Sequence, residues 1–206
     1  MKSISTIIMS LMVASMAQAG MYITEYAYQA TAGEYVEFTN LSGAPIDMTG
    51  WSYDDDSQQP GEFDLSAFGI VQPGESVIIT EGTASGFRQQ WNLNDSVKVL
   101  GGYTNNLGRN DEINLFDSYG NLVDRLTYGD QNFPGTFRTQ NTSANPLYPT
   151  ALGMNDIYQW VASSVGDEFG SYRSVGGNIG NPGFYVPEPA TLFLLLSSGL
   201  LLIRRR

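Results

Sequence analysis

From residue 21 to residue 128 the sequence is cut into short alternating runs, each closed by glycine, proline, asparagine or aspartate. Runs of that length cannot bury a helical stripe, whereas each can supply one strand. Residues 34–40 alternate cleanly, with Tyr35, Glu37 and Thr39 on one face and Val36 and Phe38 on the other. Residues 21–27 alternate more loosely and set Tyr22 and Tyr26 at the same parity. Residues 46–53, which include Trp51, read as a further strand. Pro73-Gly74-Glu75 is a turn that launches Ser76–Thr80, where Val77, Ile78 and Ile79 form a β-branched run suited to a buried strand. Residues 96–100, 112–117 and 122–128 complete the set, and Gly120 supplies the positive φ for a hairpin turn between the last two. Residues 83–91 stand apart, with Phe87 and Trp91 four residues from each other, and read as one helical turn covering an end of the fold.

Some seven strands at this spacing predict an all-β domain, an immunoglobulin-like β-sandwich. Residues 131–183 are less regular and rich in Asn, Gly, Ser and Pro: 141–146 read as loop, and Trp160-Val161 as one more strand. The chain has no cysteine and no histidine. Disulfides, thiolate or imidazole metal sites, and Ser-His-Asp or Cys-His catalysis are therefore excluded by composition. Without Lys2 and the last three arginines, six basic residues face twenty acidic ones outside the tail, a net charge of −14. Such a surface repels phosphate backbones, so nucleic acid is not an expected partner.

Both ends carry addresses. Residues 1–19 combine Lys2, an apolar stretch over 7–14 and the small-x-small triplet Ala17-Gln18-Ala19, the pattern of a signal peptide cleaved before Gly20. Residues 184–206 form a linker and tail in three zones: Pro187-Glu188-Pro189, an apolar run over 190–203, and Arg204-Arg205-Arg206. The prolines stiffen the entry, the apolar run satisfies its own backbone in lipid as a helix, and the arginines stay on the cytoplasmic side. The run has fourteen residues, short of the roughly 20 that span a bilayer with ease. This order resembles the PEP-CTERM sorting signal of Gram-negative bacteria. The resemblance implies recognition by an exosortase-type membrane protein, a transient inner-membrane anchor, and delivery to the cell surface or extracellular matrix alongside exopolysaccharide.

The middle of the chain resembles the lamin-tail domain family. The resemblance is carried by Ile23-Thr24-Glu25, Gly33-Glu34-Tyr35-Val36-Glu37-Phe38-Thr39-Asn40, Ile46-Asp47-Met48-Thr49-Gly50-Trp51, Gln72-Pro73-Gly74-Glu75, and the stretch from Asp111 to Asp124. It implies an immunoglobulin-like sandwich, over residues 20–183 here, that binds or spaces other components without catalysis. Three functional readings stay open: a non-catalytic scaffolding module, a carbohydrate- or calcium-dependent adhesion module, and a small carboxylate-based hydrolase. For calcium the candidate ligands are Asp54, Asp55, Asp56, Asp111 and Glu112, although Asp54-Asp55-Asp56 lacks the alternation of an EF-hand loop. No other cofactor is expected. The mature chain should begin at Gly20, as intact-mass measurement of the exported protein would read; retention of residues 1–19 on exported material would contradict it.

Overall fold

The computed structural model describes residues 20–31 and 33–186. Its first half contains β1 (Met21–Ala27), β2 (Tyr35–Asn40), β3 (Ile46–Asp47), β4 (Ser52–Asp54), β5 (Phe63–Asp64), β6 (Ile70–Val71) and β7 (Ser76–Thr80). Then come α1 (Ala84–Trp91), β8 (Lys98–Gly101), β9 (Asp111–Phe116) and β10 (Leu122–Tyr128). The last part holds β11 (Ala144–Pro146), β12 (Trp160–Ala162), β13 (Tyr172–Arg173) and β14 (Ile179–Gly180). A six-stranded sheet in the order β12-β11-β1-β2-β7-β8 packs on a four-stranded sheet in the order β10-β9-β4-β5. The predicted β-sandwich is thus the observed architecture.

The core between the sheets takes Ile23, Tyr26, Val36, Phe38, Val77 and Ile79 from one side and Tyr53, Ile113, Leu115, Leu126 and Tyr128 from the other. Each fully buried aliphatic or aromatic contributes roughly 1.5–3 kcal/mol, and no disulfide supplements them. Asp124 ties the layers together: its carboxylate accepts Ile23 N–H of β1 at 2.8 Å and Arg125 N–H at 2.8 Å.

Strand β2 is buried on both faces, along its whole length, where alternation alone suggests one wet side. The reason lies on the outer face of the six-stranded sheet. There Ala27, Tyr35, Ile78 and Val99 form a second apolar cluster with Phe87 and Trp91. Helix α1 has two turns rather than one, and it covers this face rather than an end of the sandwich. It is capped by Thr83, whose side chain accepts Gly86 N–H at 3.1 Å, and closed by Asn92 in the left-handed region. Its aromatic pair meets Tyr35 edge-on, with ring centroids 5.1 Å (Phe87) and 5.8 Å (Trp91) away. As the link between β7 and β8, α1 also makes that pair parallel.

Other sequence expectations shift for local reasons. Residues 46–53 are not one strand: Gly50 at φ +77° and a turn from Trp51 N–H to Met48 C=O divide them between β3, paired with β6, and β4 in the second sheet. Residues 141–146 are not simply loop, because Ala144–Pro146 forms β11 inside the six-stranded sheet. Pro146 fits there because β1 meets β11 only at Tyr26↔Ala144, so its missing N–H disrupts no pairing with β1. A bulge between Ile23 and Glu25 cancels the parity of Tyr22 and Tyr26: Tyr26 enters the core, and Tyr22 lies opposite Thr39 on the outer face. Trp91→Ala should cost about 3–5 kcal/mol of unfolding free energy, because Tyr35 and Tyr172 both pack on the indole. Denaturant melts read this directly, and a loss below about 1 kcal/mol would show that the outer cluster is dispensable.

Candidate functional site

The outer face of the six-stranded sheet changes character beyond the α1 cluster. In register opposite each other on β1 and β2 stand Glu25 and Glu37, both fully buried. Glu25 Oε1 accepts Tyr35 Oη at 2.8 Å, Ser143 Oγ at 2.5 Å and Asn181 N–H at 2.8 Å. Glu37 Oε1 accepts Thr24 Oγ1 at 2.7 Å, and its Oε2 accepts Gly183 N–H at 2.7 Å. Ser163 and Asn181 extend the network through Asn145, with contacts of 2.9 Å each. The covering residues all come from 141–186, and space is tight: a Cβ on Gly180 would lie 2.6 Å from Tyr35 Oη and 2.7 Å from Glu25 Oε1. Among the described residues no lysine or arginine pairs with either glutamate. Burial, and then the charge of Glu37, push the Glu25 carboxyl up; burial does the same for Glu37 against the hydrogen bonds it accepts.

The predicted calcium ligands lie at one end of the second sheet, at the end of β4 with the loop after it and at the start of β9, close enough to feel each other's charge. Burial and then the charges of Asp54 and Asp56 raise the Asp55 carboxyl; burial raises Asp111, with further repulsion from Asp56 and Asp55. Their oxygens serve their own loops, however. Asp54 accepts Gln59 N–H at 2.5 Å, Ser57 Oγ at 2.6 Å and Asn105 Nδ2 at 2.5 Å. Burial raises the Asp54 carboxyl, but these bonds outweigh it and hold the group below its ordinary value. Asp111 accepts Gly108 N–H at 2.5 Å and Glu112 N–H at 2.9 Å. Glu112 accepts Gln58 Nε2 at 2.8 Å and lies 3.6 Å from Arg125. Arg125 in turn donates to Gln58 Oε1 at 2.7 Å and Asn114 Oδ1 at 2.6 Å, clamping the Asp55 loop to the sheet. Asp56 is exposed. Among the described residues no three carboxylates are grouped to hold a metal ion.

The residues of the expected sorting signal, Pro187, Glu188, Pro189, Arg204, Arg205 and Arg206, lie outside the described residues, as do Ala17 and Ala19 of the expected cleavage triplet and the apolar run over 190–203. Among the described residues no helix is long and apolar enough to cross a membrane. Gly20 is half-buried at the start of β1, its carbonyl accepting Leu41 N–H at 2.9 Å. Tyr26, Tyr28 and Tyr35 are buried, so these tyrosines offer no stacking face for a carbohydrate.

Residues 14–130 match the family model of the Lamin Tail Domain. The chain belongs to the lamin tail domain family, and its sandwich is the immunoglobulin-like fold that membership implies. A comparison with curated proteins returned no match. The matched segment ends at residue 130, so β11, β12 and the cover over Glu25 and Glu37 are additions to the matched part.

Four buried carboxyls, Glu25, Glu34, Glu37 and Asp124, are raised chiefly by burial, Glu34 to about 8 and Asp124 to about 6. A carboxyl raised by folding contributes its stability in full below the unfolded value and loses it as pH climbs through the folded value. The melting temperature should therefore fall between about pH 5 and about pH 8. Thermal melts over a pH series test this, and a flat or rising profile in that interval would contradict it.

Proposed function

We propose that the chain is an exported, exosortase-sorted protein whose lamin-tail sandwich serves as a non-catalytic binding or spacing module at the cell surface or in the extracellular matrix. The observation that carries this reading is the order of the tail: Pro187-Glu188-Pro189, a fourteen-residue, mostly apolar run, then three arginines, joined to a signal-peptide pattern at the other end. The composition supports it. A chain without cysteine suits export without disulfide chemistry, and an excess of acidic residues favours solubility and contact with neutral or cationic matrix polymers.

The described residues add support for a role without catalysis. The paired carboxyls Glu25 and Glu37 hold the fold's own hydroxyls and amides and are fully buried. Intact-mass measurement of the C-terminus should find a precursor ending at Arg206 in the inner membrane and a shorter form, ending near Pro187, outside it. If protein at the surface retains Arg206, the tail is a plain anchor and the sorting reading fails.

A further inference from the structure

We propose that Glu25 and Glu37 form a protonation-dependent latch that holds residues 181–183, the neck leading to the C-terminal tail, on the outer face of the sandwich, and that loss of the proton from Glu25 frees the neck. The inference does not depend on what the tail binds. Its geometric basis is that two carboxyls stand directly opposite each other on adjacent antiparallel strands, where like charges repel. Each grips one backbone N–H of the neck, Asn181 by Glu25 and Gly183 by Glu37. Glu25 Oε2 is buried and reached by no donor, so an ionised Glu25 would leave a bare charge in the interior. A proton on that oxygen removes the charge while Oε1 keeps its three bonds.

The groups around the pair offer no compensating cation. From β2 comes the Tyr35 phenol, from β1 Tyr22 on the same face, and from β13 Tyr172. Strands β7, β11, β12 and β14 contribute no acid or base. Arg88 of α1 is turned to the Val97 carbonyl, 2.9 Å away. When the proton leaves for solvent, two adjacent anions share a site from which water is excluded. The cheapest relief is to lift the cover, which consists of loop and two-residue strands, rather than to break β1 from β2. Burial raises both carboxyls, so the latch holds in acid and is released as pH rises through those values.

Amide hydrogen exchange on the purified full chain tests the latch. After correction for intrinsic exchange, protection at Asn181 and Gly183 should fall with rising pH by up to about tenfold per pH unit, the most that one proton can give. Amides of β2 and β9 should show a weaker dependence. Glu25→Gln keeps the acceptor and removes the Glu25 titration, so the neck of that variant should show a shallower profile, with only Glu37 left to titrate. Equal pH dependence in wild type and Glu25→Gln, or none in wild type, would overturn the proposal. Should the variant fail to fold, carboxyl carbon NMR of the wild type decides: both glutamates titrating in the ordinary carboxylate range would also overturn it.

Discussion

The six-stranded sheet has no wet side. Its inner face is covered by the second sheet and its outer face by α1 and residues 141–186, so every side chain along β2 must find a partner inside the protein. Apolar side chains on the outer face are met by Phe87 and Trp91. Polar ones are met by a network of serines, threonines and asparagines that, with the Tyr35 hydroxyl and the Gly183 N–H, satisfies all but one of the glutamate oxygens. Removing one member of such a network leaves its partner buried and unpaired, which costs about 1–3 kcal/mol per group. The loops of the C-terminal region are therefore structural parts of the sandwich.

This division explains why the family match stops where it does. Within the matched segment, residues 21–128 supply most of the core between the sheets and the hairpin of β9 and β10. Residues 131–186 then add β11 and β12 to the edge beside β1 and close over the glutamates. A sandwich without that addition would expose Glu25 and Glu37 to water, where two carboxylates are unremarkable. The addition changes their chemistry by removing water, leaving their identity and register as they were.

Much of this was legible from residue order. Ser76–Thr80, Leu122–Tyr128, the hairpin at Gly120 and the strand at Trp160 follow from β-branched runs and turn residues. The alternation of Tyr35, Glu37 and Thr39 against Val36 and Phe38 was right about faces and silent about the cover on the second face. A clue was present: three consecutive aliphatics in β7 imply burial on both sides, and β2 is its neighbour in register. The bulge after Ile23 and the strand containing Pro146 were not legible, because each depends on a partner strand distant in sequence. For the acidic loops, charge spacing showed where carboxylates cluster, but not that Gln58, Asn105, Asn114 and Arg125 would occupy them.

The placement of the neck has a mechanical consequence. Traction applied to the chain beyond Val186 would act first on the bonds at Gly183 and Asn181, then on the short pairings of β13–β14 and β11–β12. These elements would peel off in sequence, a few bonds at a time, before the longer pairings of β1, β2 and β7. Released chain lengthens by roughly 3.3–3.6 Å per residue, so residues 131–186 constitute a reserve of slack between a loaded terminus and the intact family sandwich.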